Sequence, residues 1–248
     1  FTATWPKAVH RASAVFTSPK AVQVRIGQGA GEGQLTANAN VTQKVIVTSD
    51  RAKLDKLKSV ITNTLKDGET AVVFCMRKNT CDFVAERLTW NPASADPIIC
   101  GWCRAIHGDK EQWEREEILG QFRGMTMDPK NKQKGILVAT DVAARGLDIP
   151  GVALVVVYDF GDSRLGSGTN PVESHVHRIG RTGRAGRPGK AITFFTDSDP
   201  GAYELTKLLR DSNQEVPPML EELANKISWR GERKGGKGKG KDGKGKGK

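Results

Sequence analysis

Four arginines recur at every third position near the C-terminal third of the chain: Arg178, Arg181, Arg184 and Arg187, with Gly180, Gly183 and Gly186 between them. A guanidinium group is planar, permanently charged and able to grip a phosphate with two parallel hydrogen bonds. Glycines between such groups let a phosphate come close to the backbone. An Arg–Gly run by itself equally describes a solvated basic surface. Upstream stands ILVATDVAARGLDIPGV, Ile136 to Val152, in which an apolar strand ends at Thr140-Asp141 and a turn delivers Arg145, Gly146 and Asp148. A carboxylate near a strand's end suits a ribose hydroxyl, and a Thr with its neighbouring amides suits a phosphodiester. Further upstream, AIHGDKEQWERE ends a second strand at His107-Gly108-Asp109 and opens a helix with Gln112 and Arg115.

These residues need a scaffold, and the hydrophobic pattern describes one. A short helix is expected from Pro6 to Phe16 and a short strand from Ala21 to Ile26. Residues 27–40, GQGAGEGQLTANAN, lack apolar periodicity and read as a linker. Strand-like and helix-like segments then alternate. Strands are expected at Val41–Thr48, Ala71–Cys75, Trp102–Ile106, Ile136–Ala139, Ala153–Tyr158 and Ala191–Phe195. Helices are expected at Asp50–Lys66, with Asp50 as N-cap, at Thr80–Thr89, with Phe83, Val84 and Leu88 inward, and at Glu111–Phe122, Val172–Ile179, Tyr203–Arg210 and Met219–Ile227. Apolar, β-branched strands separated by helices imply an α/β fold, a parallel sheet with helices on both faces. Ligands of such sheets sit at the carboxyl ends of the strands, which gathers Arg77, His107 to Asp109, Thr140 to Asp148 and Asp159 to Pro171 around one edge. Inserts at Asn91–Pro97, Met125–Lys134 and Gly161–Pro171 read as surface loops.

Charge sets further bounds. The 248 residues carry 39 Lys and Arg against 28 Asp and Glu, a net +11. The stretch from Arg230 to Lys248 alone supplies +7 (nine basic residues less Glu232 and Asp242), so the rest is only mildly basic. This Lys/Gly-rich stretch, 230–248, has too little apolar content for a core and is expected to be disordered; it either attracts RNA phosphates or serves as a solubilising tail. The longest apolar run, Val152 to Tyr158, is far short of the roughly 20 residues of a membrane helix. Four Cys in a chain without a recognisable secretory signal read as reduced thiols of an intracellular protein, nuclear or cytoplasmic.

Taken together and in this order, the three stretches resemble the C-terminal lobe of a DEAD-box ATP-dependent RNA helicase, over about residues 41–212. Gln112-x-x-Arg115 is similar to motif IVa, Thr140 to Asp148 to motif V, and His177 to Arg184 to motif VI. Thr2-Ala3-Thr4 resembles motif III, placed at the end of a first lobe that residues 1–26 would close. The resemblance implies a RecA-like, P-loop NTPase-type sheet over 41–229. It implies arginine fingers at Arg181 and Arg184 on the ATP γ-phosphate, with Asp148 on the ribose. RNA-backbone contacts fall to Gly108, Arg115 and Thr140, and lobe coupling to Thr2, Thr4, Arg145 and Arg178. ATP, Mg²⁺ held by the first lobe, RNA and that first lobe are the implied partners of a monomer without a membrane role. An RNA-binding module without catalysis and a DNA-directed relative of the same lobe are the competing readings.

The departures from the family pattern are informative. Met76 and Arg77 stand where the family shows a polar residue and Thr, so Arg77 either replaces a hydroxyl contact or is solvated. His175 stands where a Tyr is common and is expected to pack. No G-x-x-x-x-G-K-[ST] and no Asp-Glu-Ala-Asp occur, so the chain alone is expected not to hydrolyse ATP. Residues 1–26, parted from a first-lobe sheet, are expected to pack loosely. Cys100-Gly101-Trp102-Cys103 has redox or zinc spacing but lacks the strand-to-helix context of a thioredoxin motif, and His175-x-His177 has no evident third ligand.

Overall fold

The computed structural model describes residues 7–18, 22, 37–89, 100–128, 130–144, 149, 151–161 and 170–235. Six strands, β1 (Val41–Val47), β2 (Thr70–Phe74), β3 (Trp102–Ile106), β4 (Gly135–Ala139), β5 (Leu154–Val157) and β6 (Gly189–Phe195), form one sheet in the order β1-β6-β5-β2-β4-β3. Every pairing is parallel. The helices are α1 (Lys7–Phe16), α2 (Lys53–Thr64), α3 (Lys78–Leu88), α4 (Gln112–Met127), α5 (Asp141–Ala144), α6 (Pro171–Ile179), α7 (Ala202–Asp211) and α8 (Pro218–Gly235). This is the doubly covered parallel sheet that the alternating pattern implies, in the RecA-like form that the resemblance implies.

Period-two alternation divides the core between the two faces. Ala71, Val73, Cys75, Ile136, Val138, Leu154 and Val156 pack under Leu57 and Ile61 of α2 and Val84 and Leu88 of α3. Val72, Phe74, Leu137, Ala139, Val155 and Val157 face the other way, against Ile118 and Phe122 of α4, Val172 and Ile179 of α6, and Leu205 and Leu209 of α7. Both layers are apolar, which is why the central strands read as unbroken hydrophobic runs. Edge strand β1 is blunted: the Gln43 N–H donates to Gln214 Oε1 at 2.8 Å, occupying a group that would otherwise recruit another strand.

Several local expectations need correction. Asp50 does not cap a helix; it begins a 3₁₀ turn, Asp50–Ala52, and its carboxylate pairs with Lys53 Nζ at 2.9 Å. Phe83 is exposed rather than inward, lying beneath the Arg87 guanidinium 5.2 Å from its ring, while Cys81 and Ala85 take the buried positions. The helix expected to stop at Phe122 runs on to Met127. Met125 explains the extra turn, because its Cε fills the space a Cβ on Gly135 would occupy, 2.9 Å away. Helix α8 reaches Gly235, so Arg230 to Gly235 are helical rather than disordered; 236–248 lie outside the described residues. The lobe also begins earlier than Val41: Ala37 is buried in the main core, and Asn38 and Asn40 hydrogen-bond to it. The strand expected at Ala21–Ile26 and the insert Asn91–Pro97 lie outside the described residues. In α1, Val15 and Phe16 are exposed.

His175 packs as expected. It is buried against the Phe160 ring, centroids 5.6 Å apart, and its Nε2–H donates to Gln43 Oε1 at 3.3 Å. Burial, helped by the positive Arg178, pushes its pKa down to about 3. The unfolded chain therefore binds a proton below about pH 6.5 that the folded chain refuses, so this residue costs stability progressively as pH falls from 6.5 toward 3. Chemical denaturation at pH 6.5 and pH 5 should show wild type losing about 1–2 kcal/mol more than His175→Gln across that interval. Equal losses would mean that His175 is not the titrating group.

Candidate nucleotide and RNA site

The carboxyl edge of the sheet is built from strand ends. Following β3, the turn 107–110 is closed by Lys110 N–H on His107 O at 3.2 Å, and buried His107 donates from Nε2 to Asp82 Oδ1 at 3.0 Å. Gly108 is exposed on this turn, and a Cβ built there meets nothing within 4 Å. No packing within the described residues demands glycine at this position, which leaves its backbone open to a ligand. Arg115, on the first turns of α4, is half-buried and donates from Nη1 to Gln112 Oε1 at 3.3 Å, while its buried Nε finds no partner among the described residues. Thr140 directly follows β4: its N–H donates to Ile106 O at 3.2 Å and its carbonyl accepts from Ala144 N–H to open α5. Arg77 is exposed at the end of β2, next to the ion pair of Lys78 with Asp109.

Beside this edge a cleft of about 550 Å³ opens over the ends of β2, β5 and β6, lined by Lys53, Arg77, Thr80, Asp159 and Asp199 among others. Lys53 crosses its floor, 3.1 Å from Asp159 and 2.9 Å from Asp50. Burial works against the Lys53 charge, yet the two carboxylates outweigh it and hold the ammonium above its ordinary pKa. Burial likewise raises the Asp199 carboxyl, which accepts from Thr196 N–H at 2.7 Å. The sequence reading missed this charge cluster, which only the fold assembles.

Arg178, at the start of the Arg–Gly stretch, is buried. Its Nε and Nη2 donate to the two oxygens of Asp141 at 2.7 and 2.6 Å, and its Nη1 donates to the carbonyls of Asp159 and Phe160 at 2.7 and 3.3 Å. The fork–fork pair with Asp141 is the geometry that makes Arg–carboxylate contacts strong and directional. Its partners lie at the ends of β4 and β5, so one guanidinium ties both strand ends to the last turn of α6.

Past Arg178 the chain turns toward the opposite, amino-terminal edge. Arg181 Nε donates to His177 O at 3.3 Å and Arg184 Nε to Gly180 O at 2.9 Å, so each arginine takes up a carbonyl at the exposed end of α6. Between them the buried Thr182 hydroxyl donates to Val152 O at 2.5 Å, just ahead of β5. Gly183 has φ +69°, and a Cβ there would sit 2.6 Å from Val41 Cγ2. Gly189 is equally constrained, since a Cβ would fall 2.3 Å from Thr182 Oγ1. Arg181 and Arg184 thus ride a loop fixed at the start of β1, β5 and β6, remote from the turns that carry Gly108 and Thr140. Of the other expected site residues, Thr2, Thr4, Arg145 and Asp148 lie outside the described residues. The four cysteines are buried free thiols. Burial pushes the Cys75 thiol up, and a hydrogen bond with Cys100, together with burial, raises that of Cys103. Among the described residues no group of three or more His, Cys, Asp or Glu is placed to hold a metal, and no helix is long and apolar enough to cross a membrane.

The helicase conserved C-terminal domain family matches residues 52–186. The DEAD-box ATP-dependent RNA helicase 14 of Arabidopsis thaliana is 40% identical over 246 residues, covering 96% of this chain and 35% of the relative. ATP-dependent RNA helicase DBP2 of Saccharomyces cerevisiae is 37% identical over 89% of this chain and 36% of its own length. The chain therefore spans about a third of the length of these curated relatives. Among solved structures, the yeast DEAD-box splicing factor Prp28 superposes with a TM-score of 0.61 at 27% identity, over 91% of this chain and 44% of that one. S. cerevisiae Dbp5 bound to RNA and ADP BeF3 shares the fold, with a TM-score of 0.64 at 24% identity over 90% of this chain and 54% of that one.

The Arg178–Asp141 pair generates a stability test. Asp141→Ala strands a buried guanidinium and should cost about 2–4 kcal/mol in denaturant unfolding, discounted because Asp141 is partly exposed. Adding Arg178→Met to that variant removes the stranded charge, so the double variant should lose less than the two single losses combined. Strict additivity would show that the pair is not coupled.

Proposed function

We propose that this chain, which belongs to the helicase conserved C-terminal domain family and is a RecA-like lobe of the DEAD-box type, supplies the second half of an ATP-hydrolysing, RNA-remodelling site whose first half is a preceding lobe. Arg181 and Arg184 are the groups we assign to the transferring phosphoryl. A fixed guanidinium stabilises the charge that develops on the phosphoryl oxygens in the transition state, without reorganising as it forms. The observation that carries this reading is the anchoring of both side chains through Nε to carbonyls at the end of α6, in a loop that is itself held at three strand starts. Asp148 would take the ribose hydroxyl. ATP arrives as substrate with Mg²⁺, which we place on carboxylates of the first lobe; this chain alone would not turn over ATP.

The RNA would lie along the carboxyl edge. Gly108 offers an unobstructed backbone amide, Thr140 the hydroxyl at the end of β4, and Arg115 a charge on the phosphate track. All three address phosphate and sugar rather than bases, so binding would tolerate any sequence. Arg178 would couple the two ends: through Asp141 it holds the start of the 140–152 connection, and through α6 it leads into the arginine loop. Thr2, Thr4 and Arg145 would complete the coupling between lobes. The proposal extends to a monomer acting on RNA, bending one strand of a duplex as the lobes close and resetting on hydrolysis.

Steady-state ATPase assays on the longer protein, with and without RNA, test the arginines. Arg181→Ala or Arg184→Ala should lower RNA-stimulated kcat by roughly 10³-fold, and Lys at either position should not restore it. Undiminished turnover in Arg181→Ala would end the finger assignment and leave an RNA-binding module. Arg115→Ala should weaken RNA binding evenly across sequences and flatten its salt dependence by about one phosphate's worth, a log–log slope change near 1.

A further inference from the structure

The loop that carries Arg181 and Arg184 has a second tether, from a residue the sequence reading left in the linker. Asn38 lies at the end of the 27–40 stretch, three residues before β1. Its Oδ1 accepts the N–H of Asn40 at 3.0 Å, closing an Asx turn, and its carbonyl accepts the N–H of Val41 at 3.0 Å. With Oδ1 so engaged, the amide is oriented and Nδ2 donates to Gly183 O at 2.9 Å. Asn40 continues the contact, its carbonyl accepting from Gly189 N–H at 2.9 Å where the loop ends.

Gly183 stands between the two arginines, at φ +69° and within van der Waals reach of Val41. A glycine has no side chain to fix its peptide and the widest choice of backbone angles, so the direction of its carbonyl is set by what bonds to it. The path of that peptide decides where Arg184 leaves the loop, and Ala185, the next residue, is itself held at φ +53°. On the other side Thr182 is pinned to Val152 O. The loop is therefore clamped from two directions, by Thr182 from within the domain and by Asn38 from the stretch that enters it.

We infer that Asn38 is a positioning residue for Arg181 and Arg184, holding the peptide between them through its amide bond to Gly183. The inference rests on the nucleotide role proposed for those arginines, and it makes the last turn before β1 a working part of that site. An Asn38→Asp substitution keeps the acceptor for Asn40 and sets a carboxylate oxygen against the Gly183 carbonyl in place of the donor. Asn38→Ala removes both contacts and serves if the charged variant fails to fold.

Two measurements separate the outcomes. In hydrogen exchange on this chain, the amides of 181–187 should exchange at least about tenfold faster in either variant, with β2 and β4 unchanged. In the longer protein, kcat for RNA-stimulated ATP hydrolysis should fall about 10- to 100-fold with KM for ATP within about twofold, because misaligned fingers weaken the transition state more than the bound substrate. Faster loop exchange with unchanged kcat, while Arg181→Ala still abolishes turnover, overturns the inference and leaves the arginine role standing. Unchanged loop exchange overturns it outright. If Arg181→Ala has no effect, the arginine reading fails first and the inference falls with it.

Discussion

A guanidinium cannot be buried without acceptors for its protons, because removing an unpaired ion from water costs several kcal/mol or more. Arg178 is buried and meets that demand with one carboxylate and two main-chain carbonyls. The acceptors come from two points in the chain: Asp141 at the opening of α5, and Asp159 and Phe160 past the end of β5. The charge can be accommodated only when β4, β5 and α6 end in the right places together. The strands supply most of the burial, yet this single ion dictates how their carboxyl ends are brought into register with the helix that precedes the arginine loop.

That constraint links two regions that the sheet keeps apart. Gly108, Thr140 and Arg115 belong to the carboxyl edge, whereas Arg181 and Arg184 lie beyond the strand starts. Arg178 is bonded to Asp141 at one edge and, four residues on, Thr182 is bonded to Val152 O at the other, so the end of α6 joins the two. A displacement at either edge therefore meets a bonded partner at the other. Coupling of this sort needs no deformable core; it needs a rigid connection fastened at both ends, and tightly packed interiors transmit such shifts well.

The strand assignments were legible because both faces of the sheet are covered. A strand such as Val155–Val157 must be apolar throughout, and such runs stand out in a chain with 27% charged residues. The motif residues were legible for another reason, namely that Arg and Gly recur there at fixed offsets in a pattern that resembles a known family. What escaped the reading depends on contacts distant in sequence. Met125 prolongs α4 only because Gly135 has no side chain. Lys53 is buried only because Asp159 lies across the cleft. Phe83 turned outward because α3 presents Cys81, Val84, Ala85 and Leu88 to the sheet, and a nearby Arg87 covers its ring. Asn38 looked like linker because a Gly/Asn-rich composition describes flexible segments and turn stabilisers alike.

That last ambiguity explains how the arginine loop is held. A loop presenting cations cannot be fixed by burying them, since a buried guanidinium needs acceptors for its protons, as Arg178 has, and is no longer presented. It cannot rely on bulky neighbours either, because Gly183 and Gly189 have no room for a Cβ. What is left is to fasten the main chain. Thr182 achieves this with a hydroxyl, Asn38 with an amide, and the arginines themselves with Nε on the end of α6. All four bonds run between a side chain and a carbonyl, an arrangement that restrains a glycine-rich path without filling the space beside it. Glycine in this loop is thus a packing requirement, apart from any close approach it would allow a phosphate. The small polar residues around it, easily read as surface filler, carry the rigidity that the arginines need.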